Sequence, residues 1–139
     1  MYQISPSILS ADFMNLERDI HNIEETGSDM VHIDVMDGLF VPNITVGFPV
    51  IQAIRRITNL PLDVHLMISQ PLRYVAKFVA SGADYVTIHI EADTQENNLE
   101  ALQTIRALGA KAGISLKPGT NAEAVLPYLD LCDMLLVMT

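Results

Sequence analysis

The stretch VHIDVMDG, residues 31–38, combines the composition of a buried β-strand with one histidine and two acids. Side chains of a strand alternate between its two faces. The two valines and the isoleucine therefore share one face, whereas His32 and Asp34 lie on the other. This pattern predicts a strand that presents an aliphatic side to covering helices and reserves its other side for ionisable groups.

Strand-like and helical segments alternate along the whole chain. We predict strands at residues 3–9, 30–36, 62–67, 84–90, 111–116 and 133–138. Apolar residues recur at helical spacing between them, which predicts helices at 13–23, 50–57, 71–79, 97–108 and 121–130. The alternation favours parallel strands joined by right-handed crossovers, in a single domain that spans residues 1–139.

A weak internal repeat favours a barrel over an open sheet. TGSDMVHID at 26–34 aligns with SGADYVTIH at 81–89, so that alternate strands correspond, as in a barrel where alternate strands point equivalent side chains inward. The first βα turn also lacks the G-x-G-x-x-G signature of doubly wound dinucleotide-binding sheets. We therefore expect an α/β barrel architecture.

Ionisable groups recur on the polar face of three strands. After His32 and Asp34, the second pattern places His65 near a strand end, and the third places His89 and Glu91 there. The carboxyl ends of barrel strands form the active-site mouth, and buried charges are costly unless they are paired or bound to metal. Two imidazoles and a carboxylate that converge suit a divalent ion such as Zn²⁺, Mn²⁺, Fe²⁺ or Co²⁺.

Such a site supports two kinds of chemistry. A cation can polarise a substrate carbonyl while Asp34 removes the proton from the adjacent carbon, which yields an enediolate. Activation of water for hydrolysis uses the same groups. Met36 and Met67 lie beside the site, where their thioethers either line a planar intermediate without offering it protons or simply fill the core.

Composition narrows the possible partners. Seventeen acidic residues stand against eight Lys and Arg, for a formal charge of −9, which makes nucleic-acid binding through a basic face improbable. No segment has the apolar length of a membrane span or the pattern of a signal peptide, and the single cysteine, Cys132, is expected as a small buried side chain. We therefore expect a cytoplasmic protein without membrane or nucleic-acid partners.

Several segments together resemble the ribulose-phosphate 3-epimerase family. They are ISPSILSAD at 4–12, HIDVMDGLFVPNITVGFPV at 32–50, DVHLMISQP at 63–71, HIEA at 89–92, GISLKPGT at 113–120 and LVMT at 136–139. The resemblance implies a TIM (β/α)8 barrel, here incomplete with about six strands and five helices. It also implies metal-dependent epimerisation at C3 of ribulose 5-phosphate, a phosphorylated ketopentose, to xylulose 5-phosphate in the pentose phosphate pathway.

The resemblance also implies roles for individual residues. His32, Asp34 and His65 resemble the ligands of one divalent metal ion, and Asp34 also resembles the proton acceptor. The substrate-contacting residues of the family are matched here by Ser7, Met36, Met67 and Met138, and also by His65. Exposed strand edges of an incomplete barrel favour association, and we expect a homo-oligomer.

One part of the family pattern has no counterpart among these 139 residues. The second catalytic aspartate, which donates a proton on the opposite face of the substrate, is absent, as are the late loops that hold phosphate. Epimerisation needs an acid and a base on opposite faces, so the 139 residues alone should be severely impaired. The alternatives to a ribulose-phosphate 3-epimerase are an allulose-6-phosphate 3-epimerase, a non-catalytic partial barrel, and a metal-dependent hydrolase or aldolase on the same fold.

Other ionisable residues have simpler interpretations. Asp37 precedes Gly38 and is expected to form a turn. We expect His89 and Glu91 either to contact the candidate ligands without binding the metal themselves or to have a structural role. Lys117 precedes a Pro-Gly turn, which favours a solvated lysine over one that forms a Schiff base.

Overall fold

A computed structural model describes residues 2–139, in which five parallel strands form one sheet in the order β1-β2-β3-β4-β5. Each strand therefore lies beside its predecessor in the chain. A doubly wound sheet reverses its strand order at a switch point, whereas a barrel adds strands consecutively, so the topology confirms the predicted incomplete α/β barrel. The strands are β1 (Val31–Met36), β2 (Leu62–Met67), β3 (Tyr85–His89), β4 (Lys111–Leu116) and β5 (Met134–Val137).

Four of the five predicted helices are α-helices in the structure. They are α1 (Leu16–Glu25), α2 (Phe48–Ile57), α3 (Val75–Ala80) and α4 (Gln95–Ala107), with short 3-10 turns at Ile8–Ser10, Phe13–Asn15 and Pro71–Arg73. Thr94 caps the longest of them by accepting a hydrogen bond from the backbone N–H of Asn97 at 3.3 Å. Within residues 2–139, no helix has both the length and the apolar composition required to cross a bilayer.

The fifth predicted helix, at 121–130, is a 3-10 helix at Ala122–Leu131 in the structure. Pro127 lies inside it. Proline lacks the N–H that an α-helix needs and its ring clashes with the carbonyl four residues earlier, so a tighter and less regular helix forms instead.

The first predicted strand, at 3–9, forms no regular ladder, and its last two residues lie in the 3-10 turn Ile8–Ser10. Ile4 O accepts hydrogen bonds from the N–H groups of Asp29 and Met30 at 2.9 and 3.2 Å, and Pro6 O accepts one from His32 N at 2.9 Å. Ser7 and His32 form an isolated parallel bridge. Pro6 has no N–H to continue the ladder, and the segment therefore borders β1 without becoming a sixth strand.

The core lies between the outer face of the sheet and the helices. Val31 and Ile33 of β1 are fully buried there, as the alternation predicted, together with Ile20 of α1 and Ile51 of α2. This packing fixes the aliphatic face outward toward the helices. It leaves the opposite face, which carries the histidines and acids, as the interior of the curved sheet.

Candidate active site

His32, Asp34 and His65 come together on the interior face of β1 and β2. The two strands pair in a register that sets His32 beside Asp63 and Asp34 beside His65. Asp34 Oδ1 lies 3.2 Å from His32 Nε2 and 3.2 Å from His65 Nδ1. The H-x-D pattern of β1 and the D-x-H pattern of β2 therefore alternate imidazole and carboxylate across the strand pair.

The donor atoms of this triad fit a divalent transition metal. A tetrahedral cation about 2.1 Å from its nitrogen and oxygen ligands separates them from one another by about 3.4 Å. The three candidate ligand atoms all lie within 4.8 Å of one another, and the two separations from Asp34 are close to the required value. Two imidazoles and one carboxylate also leave room for further ligands, as catalytic metal sites do.

Asp63 completes the environment of His32. Its Oδ2 lies 2.6 Å from His32 Nδ1, and its side chain is only 5% exposed. Burial alone lowers the pKa of His32, but hydrogen bonds and the charges of the two neighbouring carboxylates outweigh burial and raise the pKa to about 9. Asp63 lies two residues before His65 and so shares its interior face of β2, but no role was predicted for it. The reciprocal H-x-D and D-x-H spacing was the signal that could have identified it.

The two oxygens of Asp34 have different surroundings. Oδ1 faces the two imidazoles, whereas Oδ2 accepts a hydrogen bond from Ser7 Oγ at 2.5 Å. Burial alone raises the pKa of Asp34, but hydrogen bonds from both imidazoles and from Ser7 hold that pKa well below its usual range. Asp34 is therefore an anion at neutral pH, and Ser7, a residue predicted to contact substrate, lies directly against it.

Behind His65 lies a second buried imidazole. His65 Nε2 is 2.8 Å from His89 Nε2, and His89 Nδ1 is 3.2 Å from Glu91 Oε2. Burial and the electrostatic influence of the adjacent His65 lower the pKa of His89 to about 4, although the hydrogen bond to Glu91 opposes them. His89 and Glu91 thus stand behind a candidate ligand.

The methionines lie at the same end of the sheet. Met36 and Met67 are register partners at the carboxyl ends of β1 and β2, and Met138 follows β5 directly. Met67 is buried and Met36 and Met138 are partly buried. The structure therefore gathers the first two beside the triad and places the third at the corresponding end of the last strand.

The loop after β1 is joined to two other loops. Asp37 accepts hydrogen bonds from the backbone N–H groups of Leu39 and Phe40 at 2.8 and 2.9 Å, as a turn former should, and also from Ser69 N at 2.8 Å. Lys117 donates to Phe40 O at 3.0 Å and lies 3.8 Å from the centre of the Phe40 ring. Lys117 is therefore held in a structural contact, where a freely solvated side chain had been predicted.

Cys132 differs modestly from expectation, because its side chain is partly buried where a buried one was predicted. Burial raises the pKa of its thiol. A protonated and partly covered thiol is a poor nucleophile, so Cys132 does not contribute to the site.

Consecutive parallel strands that carry a polar centre on their interior face define an enzyme-like α/β barrel. The model of the ribulose-phosphate 3 epimerase family matches residues 3–139. The chain belongs to this family.

Curated relatives match the sequence of this chain over nearly its whole length. Ribulose-phosphate 3-epimerase of Bacillus subtilis is 46% identical over 139 residues, which are 100% of this chain and 63% of the relative. The chloroplastic ribulose-5-phosphate-3-epimerase of Arabidopsis thaliana is 47% identical over 136 residues, which are 98% of this chain and 48% of the relative. The chain thus spans from about half to somewhat under two thirds of the length of these relatives.

A solved structure of 3-hexulose-6-phosphate synthase shares the fold. It superposes with a TM-score of 0.65 at 15% identity and covers 98% of this chain and 63% of the synthase chain. A dihydropteroate synthase of Xanthomonas albilineans gives a TM-score of 0.58 at 17% identity, covering 96% of this chain and 58% of the synthase. At these identities the likeness concerns the fold alone.

Proposed function

We propose that this protein is a ribulose-phosphate 3-epimerase, which interconverts ribulose 5-phosphate and xylulose 5-phosphate through an enediolate. The observation that carries the proposal is that the two carboxylate oxygens of Asp34 have different partners. One oxygen belongs to a set of three ligand atoms within 4.8 Å of one another, and the other oxygen accepts a hydrogen bond from Ser7 alone. This arrangement supports a single carboxylate that helps to hold a cation and accepts a proton beside it.

His32, Asp34 and His65 would hold one divalent cation, of which Zn²⁺, Fe²⁺, Mn²⁺ and Co²⁺ all accept such ligands. When bound, the cation supplies positive charge that acidifies the carbon-bound proton next to the substrate carbonyl and stabilises the enediolate charge. Asp63 fixes the ring of His32 through Nδ1, so that Nε2 points toward the triad.

Asp34 is the proposed proton acceptor at C3. It is ionised at neutral pH, and Ser7 orients its Oδ2 by a hydrogen bond of 2.5 Å. The C–H bond at C3 breaks, its proton passes to Asp34, and its electron pair enters the enediolate. Return of a proton to the opposite face inverts C3, which requires a donor other than Asp34.

The remaining proposed contacts shape the pocket for a phosphorylated ketopentose. Ser7 and His65 contribute polar groups beside the reacting carbons, and the thioethers of Met36, Met67 and Met138 line the enediolate without protons to give it. Association of the protein with its own copies and a cytoplasmic location stay predictions. The relatives include both a chloroplastic enzyme and a cytoplasmic isoform from rice.

Solvent exchange tests the role of Asp34 separately from inversion. In D₂O, a proton removed by Asp34 is replaced by deuterium at C3 even when it returns to the same face. We expect the protein, supplied with Co²⁺ or Mn²⁺, to incorporate deuterium at C3 of ribulose 5-phosphate, followed by NMR, and to form xylulose 5-phosphate where an opposite-face donor is present. Asp34→Asn should slow exchange by about 10²–10⁴-fold, since a positioned base contributes that much.

The matched control is Asp130→Asn, an exposed acid in the 3-10 helix Ala122–Leu131, which leads into the amino end of β5. It should retain the parent rate of exchange. Exchange by Asp34→Asn at the parent rate would exclude Asp34 as the base, and a folded parent that neither exchanges nor epimerises would refute the proposed function.

A further inference from the structure

His89 is a fully buried imidazole outside the candidate ligand set. Its side chain is 0% exposed, and each ring nitrogen meets one ionisable side chain: His65 at 2.8 Å and Glu91 at 3.2 Å. A buried polar group that contacts a candidate ligand on one side and a carboxylate on the other can transmit the position of the carboxylate to the ligand.

With a cation bound to His65, the contacts admit one consistent arrangement of protons. His65 faces Asp34 through Nδ1, so Nδ1 must carry a lone pair if it is to bind a cation, and the proton of the neutral ring then resides on Nε2. That N–H can donate to His89 only if His89 Nε2 is unprotonated. The proton of His89 consequently lies on Nδ1, where Glu91 accepts it.

Glu91 is itself held by the loop after β4. Its Oε1 accepts hydrogen bonds from Lys117 N at 2.7 Å and from Thr120 Oγ1 at 2.5 Å, which leaves Oε2 for His89. Burial alone raises the pKa of Glu91, but these hydrogen bonds outweigh it and lower the pKa. Because Lys117 and Thr120 hold Glu91 in place, Glu91 can in turn fix the position of His89.

The ring of His89 is also covered on one side. The centre of the Phe40 ring lies 4.8 Å from that of His89, and Lys117 holds Phe40 by the backbone and ring contacts described above. The loops after β1 and β4 therefore restrict the rotation of His89, in addition to its two hydrogen bonds.

We propose that His89 and Glu91 are positioning residues that hold His65 in the tautomer whose Nδ1 is free to bind the cation. The inference deepens the proposed function, because it rests on His65 being a ligand. Acceptors that orient metal-bound imidazoles commonly account for 10–100-fold in metal affinity.

The first readout needs no metal. In chelator-treated, ¹⁵N-labelled protein, the long-range imidazole NMR spectrum should show His65 protonated at Nε2 and His89 protonated at Nδ1. His89→Phe, which keeps a ring of similar size but removes the acceptor, should abolish the preference of His65 for this tautomer. Protonation of His89 at Nε2 in the parent protein, which would reverse the direction of its hydrogen bond with His65, would overturn the proposal.

The second readout is the binding of Co²⁺, followed by its visible absorption spectrum and by competition with a chelator. His89→Phe should weaken Co²⁺ binding by about 10–100-fold. His89→Gln should recover most of the affinity, because its amide oxygen can accept from His65 Nε2. A purely structural role for His89 would change the unfolding midpoint of the variants while leaving Co²⁺ affinity and spectrum unchanged, which would overturn the proposal.

Glu91→Gln provides a test if His89→Phe fails to fold, since Glu91 lies partly at the surface with a side chain 24% exposed. It should weaken Co²⁺ binding, whereas the matched Glu100→Gln, an exposed residue of α4, should not. Equal affinities for the two variants would overturn the proposal. A parent protein that binds no Co²⁺ would instead count against the proposed function, and the protonation of His89, at Nδ1 or at Nε2, would then decide this inference alone.

Discussion

His32 and Asp63 contact each other across β1 and β2, with 2.6 Å between Nδ1 and Oδ2, on the side of the ring turned away from Asp34. Asp63 therefore fixes which nitrogen of His32 faces the candidate cation. We expect Asp63→Ala to reduce metal affinity by about 10–100-fold and Asp63→Asn, which keeps an acceptor oxygen, to reduce it less. Titration with Co²⁺ against a chromophoric chelator measures both. Parent-like affinity of the alanine variant would contradict this role.

Removal of metal should lower stability by an amount that depends on free metal concentration. A ligand that binds only the folded state stabilises it by about 2.7 kcal/mol at one hundred times its dissociation constant. We expect chelation to lower the unfolding midpoint of the parent protein and to have no effect on His65→Ala. Thermal unfolding with Zn²⁺ and with chelator provides the comparison, and an equal metal-induced shift in both proteins would place the cation elsewhere.

Asp37 should stabilise the mouth of the barrel in a pH-dependent way. In Asp37→Asn, an amide NH₂ replaces an oxygen that accepts a backbone N–H, and we expect a loss of about 1–2 kcal/mol in the free energy of unfolding at pH 7. Burial alone raises the pKa of Asp37, but its backbone donors lower it below the ordinary 3.8.

The sign of the pH effect follows from this lowered pKa. The stabilisation by Asp37 is fully present above the pKa of the unfolded state and is lost as the pH falls through the folded pKa. The difference between the parent protein and Asp37→Asn should thus be constant near neutrality and shrink in acid, as measured by urea unfolding across the pH range. Asp130→Asn serves as the control, and a difference that grows in acid would contradict the prediction.

Gly113 should tolerate no side chain, because Thr87 occupies the space. A Cβ on Gly113 would lie 2.1 Å from Thr87 Oγ1 and 2.9 Å from Thr87 Cβ, and Thr87 is fully buried. We expect Gly113→Ala to destabilise the protein by about 1–3 kcal/mol or more, as overpacking does.

A double-mutant cycle tests this contact. Thr87→Ala should restore part of the stability lost in Gly113→Ala, so that the two changes are not additive. Gly119→Ala, at a position with open space around it, should be nearly neutral in the same urea unfolding measurements. Additive effects of the two changes would show that the strain arises elsewhere.

Much of the architecture could be predicted from local patterns. The alternation of aliphatic and polar residues in β1 and β2 gave the strands and the face that carries His32, Asp34 and His65, because a period of two follows from strand geometry. Pro127 and Pro6 explain the two departures, since each removes an N–H that regular structure requires.

The pairing of His65 with His89 could not be predicted in the same way. The register of β2 and β3 sets His65 beside Thr87, so His89 reaches His65 diagonally. Such a contact depends on ring orientations and on the stagger between strands, neither of which a sequence pattern contains. The anchoring of Glu91 by residues 117–120 likewise depends on how two distant loops meet.

The spatial order of the strands repeats their order along the chain. All three candidate ligands lie between residues 32 and 65, on the first two strands. A growing polypeptide, which folds from its amino terminus as it is synthesised, can therefore gather the ligand set once β1 and β2 have paired, before the strands that bury it have been made. Capture of the cation at that stage would tie the first two strands together and give the later strands a preformed edge on which to add.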